Sequence, residues 1–268
     1  MVVLTINVQP AVAQSLDGCS LPLPGGGERD SGLGERTIQS RQGQRFLLAP
    51  SLTARHTSTD NVELAPDGEK ASSNVSEIVP ALTFCQNRPR LRTQIDYRAE
   101  LLYYSDDTAR NDVRHQFNAA NTAILADNTA FLDLDAQFDQ RPLSVSDAFG
   151  EDDSLDTGNT EDVLDLRASP YINQDLGRAG DMQARYAFET TDHEERKDRD
   201  TDRHIGSVRL TSPAAADPVS WLGSIQSEQV ERDRSGASDE TSYLDNAFVE
   251  LGYRVQGRLT LTARGGLE

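Results

Sequence analysis

Residues 91–104, LRTQIDYRAELLYY, alternate with a period of two over an unusually long run. Leu91, Thr93, Ile95, Tyr97, Ala99, Leu101 and Tyr103 fall on one face of an extended chain; Arg92, Gln94, Asp96, Arg98 and Glu100 fall on the other. Soluble strands cluster at about 5–6 residues, whereas a tilted strand that crosses a membrane needs about 9–11. The stretch therefore predicts a strand with two unlike surroundings, one apolar and one polar. Tyr103–Tyr104 stand where an interfacial aromatic belt is expected, and SDDTARND follows as a turn.

The pattern repeats along the chain. Period-two segments are expected at 45–57, 73–86, 90–105, 111–125, 129–140, 161–173, 179–190, 202–212, 219–231, 241–255 and 258–266. Short connections (CQNRPR, LADN, NQDLGR, TSPAAADP, VQGR) alternate with longer polar ones at 58–72, 106–110, 141–160, 191–201 and 232–240. Up-and-down hairpins trimmed at one end and elaborated at the other produce this alternation, as outer-membrane barrels do. Only 36% of the chain is hydrophobic, 26% is charged, and the net charge is -18. A membrane barrel tolerates such a composition, because only every second residue meets lipid. The charge argues against binding a nucleic-acid backbone, and no run approaches the roughly 20 apolar residues of a membrane helix. The expected fold is all-β: an up-and-down antiparallel transmembrane β-barrel. Eleven strands is an odd number where single-chain bacterial barrels have an even one, so the barrel is expected to be incomplete. Pro50, Pro80 and Pro170 interrupt expected strands and are read as bulges or strand-end features.

Three regions are expected. Residues 1–13 read as a signal-peptide remnant ending in Ala11-Val12-Ala13, with a short N-terminal strand as the alternative. Residues 14–44, rich in Gly and Pro, read as a flexible periplasmic leader, and 45–268 as the barrel portion. LDGC at 16–19 is a poor lipoprotein box, since Asp17 does not suit it. Cys19 and Cys85 are the only cysteines, and the sequence leaves open whether they pair.

The faces of the strands define the candidate residues. Leu91, Ile95, Tyr97, Leu101, Tyr103, Leu132, Leu134 and Phe138 are expected to face lipid. Arg92, Asp96, Arg98, Glu100, Asp133, Asp135, Asp139, Arg185 and Glu189 are expected to face a lumen, as packing that rigidifies it or as a pore lining. No catalytic, cofactor or metal residue is expected. DAFGEDDSLDTGNTED, residues 147–162, has Thr157 where a calcium loop starting at Asp152 needs glycine, with Gly158 one place late, so it reads as a solvated acidic loop. His56, His115, His193 and His204 are scattered, and DHEER at 192–196 lacks the second histidine of a zinc-binding helix; His115 is placed near a membrane boundary. No G-x-S-x-G occurs.

LAPSLTARHTSTDNVELAP, VSEIVPALTF and RLRTQIDYRAELLYYSDDTARNDVRHQFNA together resemble an outer-membrane β-barrel family associated with PEP-CTERM/exosortase exopolysaccharide systems, within a wider group of β-barrel porins. The resemblance is densest over residues 45–126 and looser to residue 268. It implies a Gram-negative outer-membrane location and contact with outer-membrane lipid and lipopolysaccharide. It also implies a porin-like or scaffold role beside exopolysaccharide or its export machinery, and no catalytic residues. Members of that family are longer. The alternatives are a secreted soluble β-rich adhesin or matrix protein, and a barrel enzyme acting on lipid.

Overall fold

A computed structural model describes residues 2–8, 46–62, 68, 72–108, 111–127, 129–143, 160–213, 218–232, 240–255 and 259–267. Its strands are β1 (Val2–Val8), β2 (Phe46–Thr59), β3 (Ser73–Arg88), β4 (Leu91–Tyr104), β5 (Asp112–Ala126), β6 (Ala130–Pro142), β7 (Thr160–Asp175), β8 (Asp181–His193), β9 (Thr201–Thr211), β10 (Val219–Arg232), β11 (Glu240–Val255) and β12 (Leu259–Leu267). They form one open sheet in sequence order, with β1 and β12 as its edges. The eleven strands expected beyond residue 45 are present in up-and-down order, and Val2–Val8 pairs antiparallel with β2. Strands β2–β11 are 11 to 16 residues long. The leader at 14–44 and the acidic stretch 147–159 lie outside the described residues. Cys85 is disulfide-bonded; Cys19 also lies outside them.

Backbone contacts divide the chain into two compact units: Met1–Ala120 with Ala136–Leu164, and Asn121–Asp135 with Asp165–Glu268. In the first unit the β2–β3 ladder runs without interruption from Phe46↔Gln86 to Thr59↔Ser73. Pro50 and Pro80 therefore lie inside paired strands, not at bulges or ends, and Pro170 likewise lies within β7. Pro50 faces Leu82, and Pro80 faces Leu52. Both positions have the same parity, so both belong to one class of antiparallel pair. Proline has no N–H, so that class is the one in which the pair exchanges no backbone hydrogen bonds. The nitrogen of Pro80 then points toward β4, and there the pairing skips Val79 and Pro80 before resuming in the same register at Ala81↔Arg98. The cost of this proline is one gap in one ladder, with no slip.

Directly opposed residues share a face. In the first unit the rows Leu48–Phe84–Ile95, Pro50–Leu82–Tyr97 and Ala54–Ile78–Leu101 form an apolar face. The opposite face carries Arg55, Glu77, Thr83, Asp96 and Arg98. A small buried cluster, Val62, Val75, Leu102 and Tyr104, sits where this polar face meets the 105–111 connection. Leu102 and Tyr104 end the polar run of β4 because they belong to this cluster. The two tyrosines expected together part company: Tyr103 is exposed on the apolar face, whereas Tyr104 is 3% exposed and on the other face. In the second unit, Ala184, Val208, Ile225, Ala247 and Leu267 form one apolar row across β8–β12, and Val219, Tyr253 and Leu261 form another.

Candidate functional site

The two faces invert the usual order of a soluble protein. Phe46, Leu48, Ile78, Leu82, Tyr186, Ile225, Val249 and Leu251 are all exposed, whereas Glu77, Glu100, Glu161 and Glu228 are buried. Carboxylates are among the residues least often buried unless paired, so partners on the polar face have to hold them.

In the second unit those partners form two connected groups. Arg185 donates to Asp133 Oδ2 and to Ser169 Oγ, each at 2.9 Å, and its guanidinium lies 3.9 Å over the Tyr171 ring. Tyr171 stacks on Phe131, centroids 4.8 Å apart, and Thr122 donates to Asp133 at 2.9 Å. The other group is a chain of alternating charge across four consecutive strands. Arg167 on β7 meets Glu189 on β8 at 3.4 Å; Arg203 on β9 meets Glu189 at 3.3 Å and Glu228 on β10 at 2.7 Å. Thr191 donates to Asp165 at 2.6 Å. Asp135 is near these charges, half-buried.

The first unit holds a sparser set. Arg55 bridges to Glu77 at 3.4 Å, Asp96 accepts from Thr83 at 2.7 Å and from Gln94 at 3.0 Å, and Asp139 accepts from Gln137 and pairs with Arg141. Of the residues assigned to the polar face from sequence, Asp133 and Arg185 contact each other directly, and Glu189 joins the charge chain. Arg98 is half-buried, Glu100 is buried and Arg92 is exposed. Of the apolar set, Leu91, Tyr97, Tyr103 and Leu134 are exposed, while Ile95, Leu101, Leu132 and Phe138 are half-buried.

The histidines do not gather. His115 Nδ1 is 2.9 Å from Tyr97 Oη and His204 Nδ1 is 2.7 Å from Tyr186 Oη, each pair hydrogen bonded on an apolar face. His56 bonds Ser76, and His193 lies by Asp200. Among the described residues no group of His, Cys, Asp and Glu could hold a metal ion.

The two Tyr–His pairs expose a repeat that strand-by-strand reading misses. In both, the partners are 18 residues apart. An offset of 89 residues, from His115 to His204, carries Gln94, Tyr97, Glu100 and Arg114 onto Gln183, Tyr186, Glu189 and Arg203. It also carries Gln137 and Gln140 onto Gln226 and Gln229, and Asp139 onto Glu228. The geometry follows the sequence. Asn111 Oδ1 accepts from the Tyr104 N–H at 2.9 Å, and at the same offset Asp200 Oδ1 accepts from the His193 N–H at 2.7 Å. The meanders β4–β6 and β8–β10 are thus built on one plan. The offset was the available signal for Arg203 and Glu228, which no alternation of β9 or β10 singled out.

No protein-family model and no curated protein matches the chain.

Proposed function

We propose that the chain is an outer-membrane β-barrel protein of a Gram-negative bacterium, with a porin-like or scaffold role in an exopolysaccharide system of the PEP-CTERM/exosortase kind and no catalytic step. The inverted faces carry this reading. Water would leave rows of Leu, Ile, Val and Tyr exposed on long strands, whereas lipid would cover them and the polar face would line the interior. Two observations add support. Strands β2–β11, of 11 to 16 residues, reach or exceed the length that about 25 Å of hydrocarbon requires. The disulfide at Cys85 suits an oxidising compartment. The polysaccharide context rests on the resemblance of residues 45–126.

Heat-modifiable gel mobility of the full chain folded in detergent tests the barrel. A compact band that shifts on boiling is expected; a protein that stays monodisperse without detergent would sink the proposal. Planar-bilayer conductance separates the two roles: steps are expected of a pore, and their absence in an inserted protein assigns a scaffold.

A further inference from the structure

The chain of paired charges does not extend to the short-connection end of the second unit. There the polar residues surround open space. Asn173 on β7 lies beside Gln183 on β8, which is directly opposite Arg209 on β9; one step nearer the turn, Asp181 is opposite Thr211. These side chains, with Gln174, Asp175 and Met182, line a concavity of about 450 Å³, within the roughly 300–1,000 Å³ of ligand pockets; Asp175 Oδ1 is engaged by the Gly177 N–H. Gly180 makes the corner. Its φ of +103° starts β8 directly against β9, and a Cβ there would stand 2.0 Å from the Thr211 carbonyl oxygen.

Within this cradle the Thr211 hydroxyl donates to the Asp181 carbonyl oxygen at 3.5 Å, and part of the remaining hydrogen-bonding capacity is unspent among the described residues. Gln183 donates through Nε2 to Asn173 Oδ1 at 3.0 Å, which leaves the Gln183 oxygen and the Asn173 amide nitrogen. Arg167, Arg185 and Arg203 each engage a carboxylate. Arg209 has no ion pair or hydrogen bond among the described residues and is exposed. A free guanidinium fork matches a planar carboxylate. The Asp181 carboxylate beside it repels a second anionic group and accepts from hydroxyls, as the Gln183 oxygen does.

From this we infer that the cradle of Asn173, Asp181, Gln183, Arg209 and Thr211 binds a sugar that bears one carboxylate, a uronic-acid unit, with Arg209 on the carboxylate and the others on ring hydroxyls. The inference does not rest on the membrane reading, because the cradle belongs to the polar face whatever medium covers the apolar one.

Isothermal titration of the full chain in zwitterionic micelles with glucuronate tests it, with glucose and acetate as partial ligands. Saturable binding of glucuronate is expected, with glucose and acetate each at least tenfold weaker. Arg209→Gln should weaken glucuronate at least tenfold, while Arg232→Gln, on the same face at the far end of β10, leaves it unchanged. Because Arg209 is exposed and has no partner among the described residues, Arg209→Gln should keep the parent's circular dichroism. If it does not, Arg209→Lys, which keeps the charge and loses the fork, should still weaken binding several-fold. Lack of saturation with glucuronate, equal affinity in Arg209→Gln, or acetate binding as well as glucuronate, which would mean an adventitious ion only, each overturns the proposal.

Discussion

At the scale of single residues, Arg203 is the position where the polar face is most exposed to perturbation. Among the described residues it alone bridges Glu189 and Glu228, and the Glu228 side chain is 7% exposed. Arg203→Met would leave that carboxylate buried without its 2.7 Å partner, which costs about 1–3 kcal/mol. The urea midpoint should fall accordingly, and Glu228→Gln added to Arg203→Met should recover most of the loss, since a neutral amide is cheaper to bury. An unshifted midpoint in Arg203→Met would show the bridge to be idle. Such residues were only partly legible. Asp133, Arg185 and Glu189 stood out because β6 and the start of β8 alternate cleanly, whereas Glu228 lies in WLGSIQSEQVER, where glycine and serine blur both faces. Nothing in either strand alone distinguishes a buried glutamate from a solvated one. The 89-residue repeat does, by pairing it with Asp139.

Lys197, in the connection after β8, titrates where no strand constrains it. Its ammonium is held above its ordinary 10.5 first by the hydrogen bond to Asp192, with the charges of Asp200 and Asp192 adding. Nζ lies 3.1 Å from Asp192 and 3.7 Å from Asp200, and Asp200 in turn accepts the His193 N–H. A raised pKa means a contribution that is whole below 10.5 and lost as pH climbs through the raised value. Protease cleavage within residues 194–200 should therefore be flat from pH 7 to 10 and rise above that. Lys197→Gln should cleave faster at pH 7 and lose the alkaline rise; a variant with the parent's profile would separate the lysine from the loop's order.

Elements respond to backbone geometry more than to pattern. The strands were readable almost residue by residue because period two is local. The prolines were misread because proline's effect depends on which neighbour its nitrogen faces, and that is set by pairing. Gly180 shows the same dependence. It sits at φ +103° with Thr211 packed against it, whereas Gly177 sits at φ +63° with open space around it. Gly177→Ala should cost about 1–2 kcal/mol, the price of a left-handed alanine. Gly180→Ala must also displace the end of β9, so its loss should be distinctly larger, with reduced recovery of folded protein. Equal urea midpoints for the two variants would mean that the β8–β9 start is free to shift. The short NQDLGR connection announced a turn; which of its neighbours a side chain would strike was not in the sequence.

For the molecule as a whole, one substitution reads by its magnitude which medium covers the apolar face. Ile225 lies mid-way along β10, 64% exposed, in the row shared by Val208 and Ala247. If water covers that row, Ile225→Arg removes an exposed apolar group and should change stability by no more than about 0.5 kcal/mol. If lipid covers it, an arginine near the bilayer midplane costs about 2–4 kcal/mol. Thr262→Arg, on the opposite face of β12 and also exposed, should be near neutral in either medium, because the polar face already carries arginines such as Arg264. Urea unfolding of the full chain in phospholipid vesicles reads the difference. The barrel proposal requires Ile225→Arg to lose several times more stability than Thr262→Arg. Two variants within about 0.5 kcal/mol of the parent would place water on both faces, and the long alternation of β4 would then describe a sheet that waits for a protein partner.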